Sequence, residues 1–85
     1  MEQRMPHSLT LSDRQRLKVT GVEEVLRFEE EGALLRTALG DLQVQGRELK
    51  LKTLSPQGGE LEILGEIGAL FYEQSREGLW RRLLG

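Results

Sequence analysis

From Leu9 onward the apolar residues recur at every second position rather than every third or fourth. An extended chain places alternate side chains on opposite faces, so this spacing describes strands with one face buried and one face solvated. Leu17 and Val19 alternate with Arg16, Lys18 and Thr20, and Leu49 and Leu51 alternate with Lys50 and Lys52. Leu61, Ile63, Ile67, Ala69 and Phe71 share one parity, which predicts that Phe71, like Phe28, belongs to the core. Glycines at 21, 32, 40, 46, 58, 59, 65 and 68 divide the runs, and glycine permits tight turns and bulges. Short strands and frequent turns predict an all-β fold, an antiparallel sandwich or barrel of about seven to eight short strands.

Local signals fix several connections. Gly40-Asp41 suits a two-residue hairpin loop, which would set Leu39 opposite Leu42, Thr37 opposite Val44 and Leu35 opposite Gly46. Phe28 to Gly32 is expected to join a strand at about 22–28 to one at about 33–39, with Glu29, Glu30 and Glu31 at the tip. Val22, Val25 and Phe28 break strict parity, and a bulge would reconcile them. The run from Leu54 to Gly59 contains Pro56 and a glycine pair, and it separates two strands rather than two domains.

An 85-residue chain with 38% apolar residues sustains one small core and therefore one domain. The expected division is a flexible N-terminus at 1–7, a β-sandwich domain at 8–74 and a basic amphipathic tail at 75–85. On a helical wheel Leu79, Trp80, Leu83 and Leu84 fall on one side and Arg81 and Arg82 on the other. These six residues are the candidate docking site for a partner or a membrane. Three readings of the ending stay open: it closes one end of the sandwich, it is disordered, or it anchors the protein to a membrane interface or a partner's groove.

Catalysis finds little material. The single histidine, His7, falls in the segment expected to fray, and the absence of cysteine removes disulfides, thiolate metal sites and thiol nucleophiles. Ser8, Ser12, Ser55 and Ser75 sit in turn or terminal contexts, where serine bonds to backbone. The three glutamates lack the ligand spacing of a calcium loop, and no glycine run forms a phosphate-binding pattern. No catalytic residue, metal or cofactor is expected, and the protein is expected not to be an enzyme. With a net charge of −2 and four aromatics, nucleic-acid binding is not expected either. No stretch approaches the ~20 apolar residues of a membrane span, and the cysteine-free chain fits a cytoplasmic setting. Charge is nevertheless segmented: +2 over 1–22, −4 over 23–31, +2 over 32–54, −4 over 55–74 and +2 over 75–85. Cross-strand pairing on solvated faces accounts for such alternation, and head-to-tail self-association of complementary patches is the sharper alternative.

The stretches Leu17-Lys18-Val19-Thr20-Gly21-Val22, Leu39 to Gly46, Leu49-Lys50-Leu51-Lys52, Gly65-Glu66-Ile67 and Leu70-Phe71-Tyr72, with the ending Gly78 to Leu84, carry a family resemblance. In their order and spacing the chain resembles the YabP and YqfC family of bacterial sporulation proteins, and its YabP branch more closely. Leu26 stands where a polar residue is expected, and the tail is shorter than in many relatives. The resemblance implies an immunoglobulin-like β-sandwich and a mother-cell protein of late endospore development. It implies no characterised site residue. The expected function is a non-catalytic interaction module in spore envelope, coat or cortex assembly. Its expected partner is a spore assembly protein, such as a YabQ-like membrane protein, met at the forespore membrane. A homo-oligomer built by pairing of strand edges is the alternative.

Overall fold

The computed structural model describes residues 6–55 and 57–73. Six strands run antiparallel: β1 (Ser8–Ser12), β2 (Arg16–Thr20), β3 (Val22–Glu29), β4 (Gly32–Thr37), β5 (Gly40–Ser55) and β6 (Glu60–Glu73). They form one sheet in the order β1-β2-β6-β5-β4-β3. The all-β, antiparallel expectation therefore holds. Among the described residues the strands number six, where seven or eight were expected, and they join in one sheet rather than the two separate sheets of an immunoglobulin-like sandwich.

The difference arises at the glycines. Gly46, Gly65 and Gly68 punctuate the sequence as turns would, yet each lies inside a long strand, β5 or β6, of 16 and 14 residues respectively. The β5–β6 ladder runs from Asp41↔Glu73 to Ser55↔Glu60 and shifts register between Gln45 and Gly46 and between Arg47 and Lys50. Each shift inserts one extra residue, which reverses the parity of the side chains beyond it. Leu42 and Val44 are buried before the bend in β5, and Leu49 after it; Glu48 takes a φ of 51° between them. In β6 Leu61, Ile63 and Ile67 are buried, Gly68 is the extra residue, and Leu70 packs on the core instead of Ala69 and Phe71. Phe71 is therefore exposed, contrary to its parity in the sequence.

Gly46 and Gly65 make the bend possible. A Cβ at Gly46 would stand 1.9 Å from the Glu66 carbonyl oxygen, and one at Gly65, whose φ is 132°, would stand 2.6 Å from the Glu48 carbonyl oxygen. Backbone approaches this close admit no side chain.

Two halves of the sheet result, each four strands wide. The first comprises β1, β2, the start of β6 and the end of β5; the second comprises β3, β4, the start of β5 and the end of β6. Leu17, Val19, Leu61 and Ile63 from the first half and Ala33, Leu35, Leu42 and Val44 from the second belong to one buried cluster, so both halves share a core. Each outer hairpin is fastened to the neighbouring long strand at its bend. The β3–β4 turn offers the Glu31 and Glu30 carbonyls to the amides of Gly46 and Leu49, at 3.0 and 2.8 Å. The β1–β2 turn likewise offers the Gln15 and Arg14 carbonyls to the amides of Gly65 and Ile67, at 3.1 and 2.8 Å. The turns thus supply acceptors to four amides at the bends, those of Gly46, Leu49, Gly65 and Ile67.

The β4–β5 hairpin turns two residues earlier than its glycine suggests. Thr37 pairs with Gly40 and Leu35 with Leu42, so Ala38 and Leu39 form the loop and Leu39 is 73% exposed. Buried Thr37 explains the choice: its hydroxyl donates to the Gly40 carbonyl at 2.6 Å and accepts from the Leu39 amide at 3.2 Å. Because the slip is even-numbered, every side chain keeps its face. The bulge expected in β3 is present twice, between Val22 and Glu24 and between Val25 and Arg27, with half-buried Leu26 in the second. The β5–β6 connection falls where the proline and glycine pair place it.

Candidate interaction surfaces

The side chains that alternate with the core build two outer faces of opposite charge. On the first half, Thr10, Lys18, Glu62 and Lys52 form one cross-strand row and Ser12, Arg16, Leu64 and Lys50 the next. Arg16 meets Glu62 at 3.7 Å and Lys18 meets Glu60 at 3.0 Å. Lys50 and Lys52 are exposed with no carboxylate in ion-pair range among the described residues, so this face carries excess positive charge. On the second half the rows are Glu24, Arg36, Asp41, Glu73, then Arg27, Leu34, Gln43, Phe71, then Glu29, Gly32, Gln45, Ala69. Arg36 pairs with Glu24 at 3.3 Å and Arg27 with Glu29 at 2.7 Å, which among the described residues leaves Asp41 and Glu73 as excess negative charge beside the exposed Phe71 ring. Three of these four pairs bridge neighbouring strands, the arrangement that the alternating charge segments lead one to expect.

The residues singled out by sequence are dispersed. His7 is held: one ring nitrogen, Nδ1, lies 2.8 Å from the Thr20 carbonyl, and the other meets the Tyr72 hydroxyl, with the rings edge to face at 5.6 Å. These contacts tie it to β2 and β6. Ser8 bonds the Thr20 hydroxyl at 2.7 Å and Ser55 accepts from the Gly58 amide at 3.3 Å, both structural duties. Of the three glutamates, Glu29 closes the β3–β4 turn and Glu30 and Glu31 form it. Among the described residues no three His, Asp or Glu side chains converge as metal ligands, and no buried side-chain nitrogen or oxygen lacks a partner. Leu79, Trp80, Arg81, Arg82, Leu83 and Leu84 lie outside the described residues, as does Ser75.

A shallow groove of about 640 Å³ follows the bend, lined by Asp13 to Gln15, Gln45 to Arg47 and Glu66 to Ala69. The Arg14 side chain spends its Nε on the Ile67 carbonyl at 3.2 Å, so it fastens the turn rather than waiting for a ligand. Sequence reasoning missed Phe71, Leu11 and Leu39 as exposed apolar residues. Only the doublet of Gly65 and Gly68 hinted at the parity change that turns Phe71 outward.

These features define a class: an all-antiparallel β protein whose described surface offers charged faces and a sheet edge. Comparison with known proteins narrows it. The model of the YabP family matches residues 3–78, and the chain belongs to that family. It is 35% identical over 72 residues to Spore protein YabP of Bacillus subtilis (strain 168), covering 85% of this chain and 72% of the relative.

Proposed function

We propose that this protein is a non-catalytic interaction module of late endospore development, acting in assembly of the spore envelope, coat or cortex. The developmental setting is supported by the match to a relative named as a spore protein. The mode of action rests on one observation: Lys50 and Lys52 stand on the outer face without ion-pair partners among the described residues, while the neighbouring Arg16 and Lys18 are neutralised. An uncompensated basic face attracts an acidic partner or an anionic surface and weakens with salt. Arg81 and Arg82 of the tail add the same sign of charge, and Leu79, Trp80, Leu83 and Leu84 supply apolar anchors. The partner is a spore assembly protein, for example a YabQ-like membrane protein, and the protein works in the mother-cell cytoplasm at the forespore membrane. Among the described residues no helix is long and apolar enough to cross a membrane, and the proposed contact is peripheral.

The test is localisation of a fluorescent fusion in sporulating cells. Lys50→Glu/Lys52→Glu and deletion of 79–85 are each expected to disperse the protein. Unchanged placement and spore yield in both would remove the basic face and the tail from the function. Self-assembly through strand edges is a second reading, favoured by the character of β1.

A further inference from the structure

The two ends of the sheet differ in a way that bears on pairing between copies. An unpaired strand edge is a template for another strand, and proteins guard such edges with charges, prolines or bulges. β3, at one end, carries Glu23, Glu24, Arg27 and Glu29 and two bulges. β1, at the other, is Ser8-Leu9-Thr10-Leu11-Ser12: five residues with no charge, proline, glycine or bulge. Among the described residues no strand lies on its outer side.

The sequence of β1 is also a palindrome. Laid antiparallel against its own copy about Thr10, it pairs Ser8 with Ser12, Leu9 with Leu11 and Thr10 with Thr10, so each side chain meets one of its own kind. Leu9 and Leu11 share the core face with Val19 and Leu17; Leu9 is half-buried on the core and Leu11 is 40% exposed. Self-pairing would cover both leucines with those of the second copy and extend the core across the junction. On the opposite face only hydroxyl side chains meet, and no like charges oppose one another.

β1 is held at both ends before any partner arrives. His7 is bonded to Thr20 and Tyr72 on one side, and the Asp13–Gln15 turn is fastened to β6 on the other. A strand already fixed loses little conformational freedom on binding.

We propose that β1 pairs with β1 of a second copy of this chain, making a two-fold symmetric dimer in which the six described strands of each copy join one continuous sheet. This deepens the strand-edge reading of the function by naming the edge, the register and the closed symmetry. The bulged and charged β3 stops the assembly there, so the product is a dimer and not a fibre. A five-residue ladder is a small interface, and its affinity is expected to be micromolar or weaker.

The full chain has no cysteine, which permits a clean register test. Facing residues in an antiparallel pair have Cα atoms about 4.5–5.5 Å apart, inside the span of a disulfide. Under diamide, which takes up the two electrons and two protons released by a thiol pair, Thr10→Cys is expected to form a covalent dimer. Ser8→Cys alone and Ser12→Cys alone should not, because each lies about 13 Å from its own copy, whereas a mixture of the two should. Sedimentation of the unmodified chain is expected to show a concentration-dependent monomer–dimer equilibrium. A dimer whose Thr10→Cys variant cross-links no better than Ser8→Cys would overturn the β1 pairing and leave self-association through another surface. A monomer at every accessible concentration would overturn both, and would do so equally if protected β1 amides showed the chain's own residues 74–85 covering the edge.

Discussion

Gly46→Ala probes the bend where both halves of the sheet meet. The new methyl would stand 1.9 Å from the Glu66 carbonyl oxygen and 3.0 Å from the Leu49 Cδ2 atom. Ordinary carbon contacts lie near 3.5–4.0 Å, so β6 has to retreat by more than about 1 Å. That retreat disrupts the neighbouring ladder bonds and strains the Gly46 amide away from the Glu31 carbonyl. Overpacking costs about 1–3 kcal/mol, and a part-buried hydrogen bond left unmade costs about 1–3 kcal/mol more. The sum, about 2–6 kcal/mol, is a large share of the roughly 4–13 kcal/mol that a domain of this length commands. Gly68→Ala is the matched control: it too sits at the bend, but its Cβ would meet only the Gln45 oxygen at 3.5 Å and its φ is not positive. It is expected to change stability by less than about 1 kcal/mol. Urea unfolding followed by far-ultraviolet dichroism separates the two. With a slope near 1 kcal/mol per molar, Gly46→Ala should lower the midpoint by about 2 M or more, or abolish the folded baseline. Midpoints within about 0.5 M of each other, or a larger loss for Gly68→Ala, would refute the close-crossing argument.

Leu35→Ala, which empties a fully buried site, should cost about 2–5 kcal/mol in the same unfolding assay, whereas Leu39→Ala at the exposed turn should cost less than about 0.5 kcal/mol. Thr37→Val keeps the shape of a buried side chain but removes both turn bonds, and a loss of about 1–3 kcal/mol is expected. Lys18→Ala removes an exposed ion pair to Glu60 and should shift stability by less than about 1 kcal/mol, a shift that shrinks in high salt.

Strand parity carried the fold class, because Leu17, Val19, Leu61 and Ile63 alternate without interruption and all four are buried. Parity failed where a bulge intervened. Phe71 keeps step with Ile67 in the sequence, but the extra residue at Gly68 turns it to solvent and Leu70 inward. A glycine that ends a strand and one that lets two strands cross look alike in one dimension, which is why two long bent strands resemble four short ones. The β4–β5 turn shows a different failure: Gly40 has the positive φ expected of a turn glycine, yet the Thr37 hydroxyl draws the loop two residues upstream. The charged faces were half legible. Segment charges announced the alternation, but only the register shows that Lys50 and Lys52 join Arg16 and Lys18 on one face. The exposure of β1 was not legible at all, since which strand ends a sheet depends on pairing between distant segments.

Action through faces and an edge depends on β5 and β6 staying paired through both bends, so that the two halves are one sheet. Nuclear Overhauser contacts between backbone protons of the two strands test this directly. Cross-strand contacts are expected along the whole ladder, at Leu42/Tyr72, Gly46/Ile67, Lys50/Leu64 and Thr53/Leu61 alike. Contacts at the two ends with none at Gly46/Ile67 or Arg47/Glu66 would contradict it and point to two separate sheets.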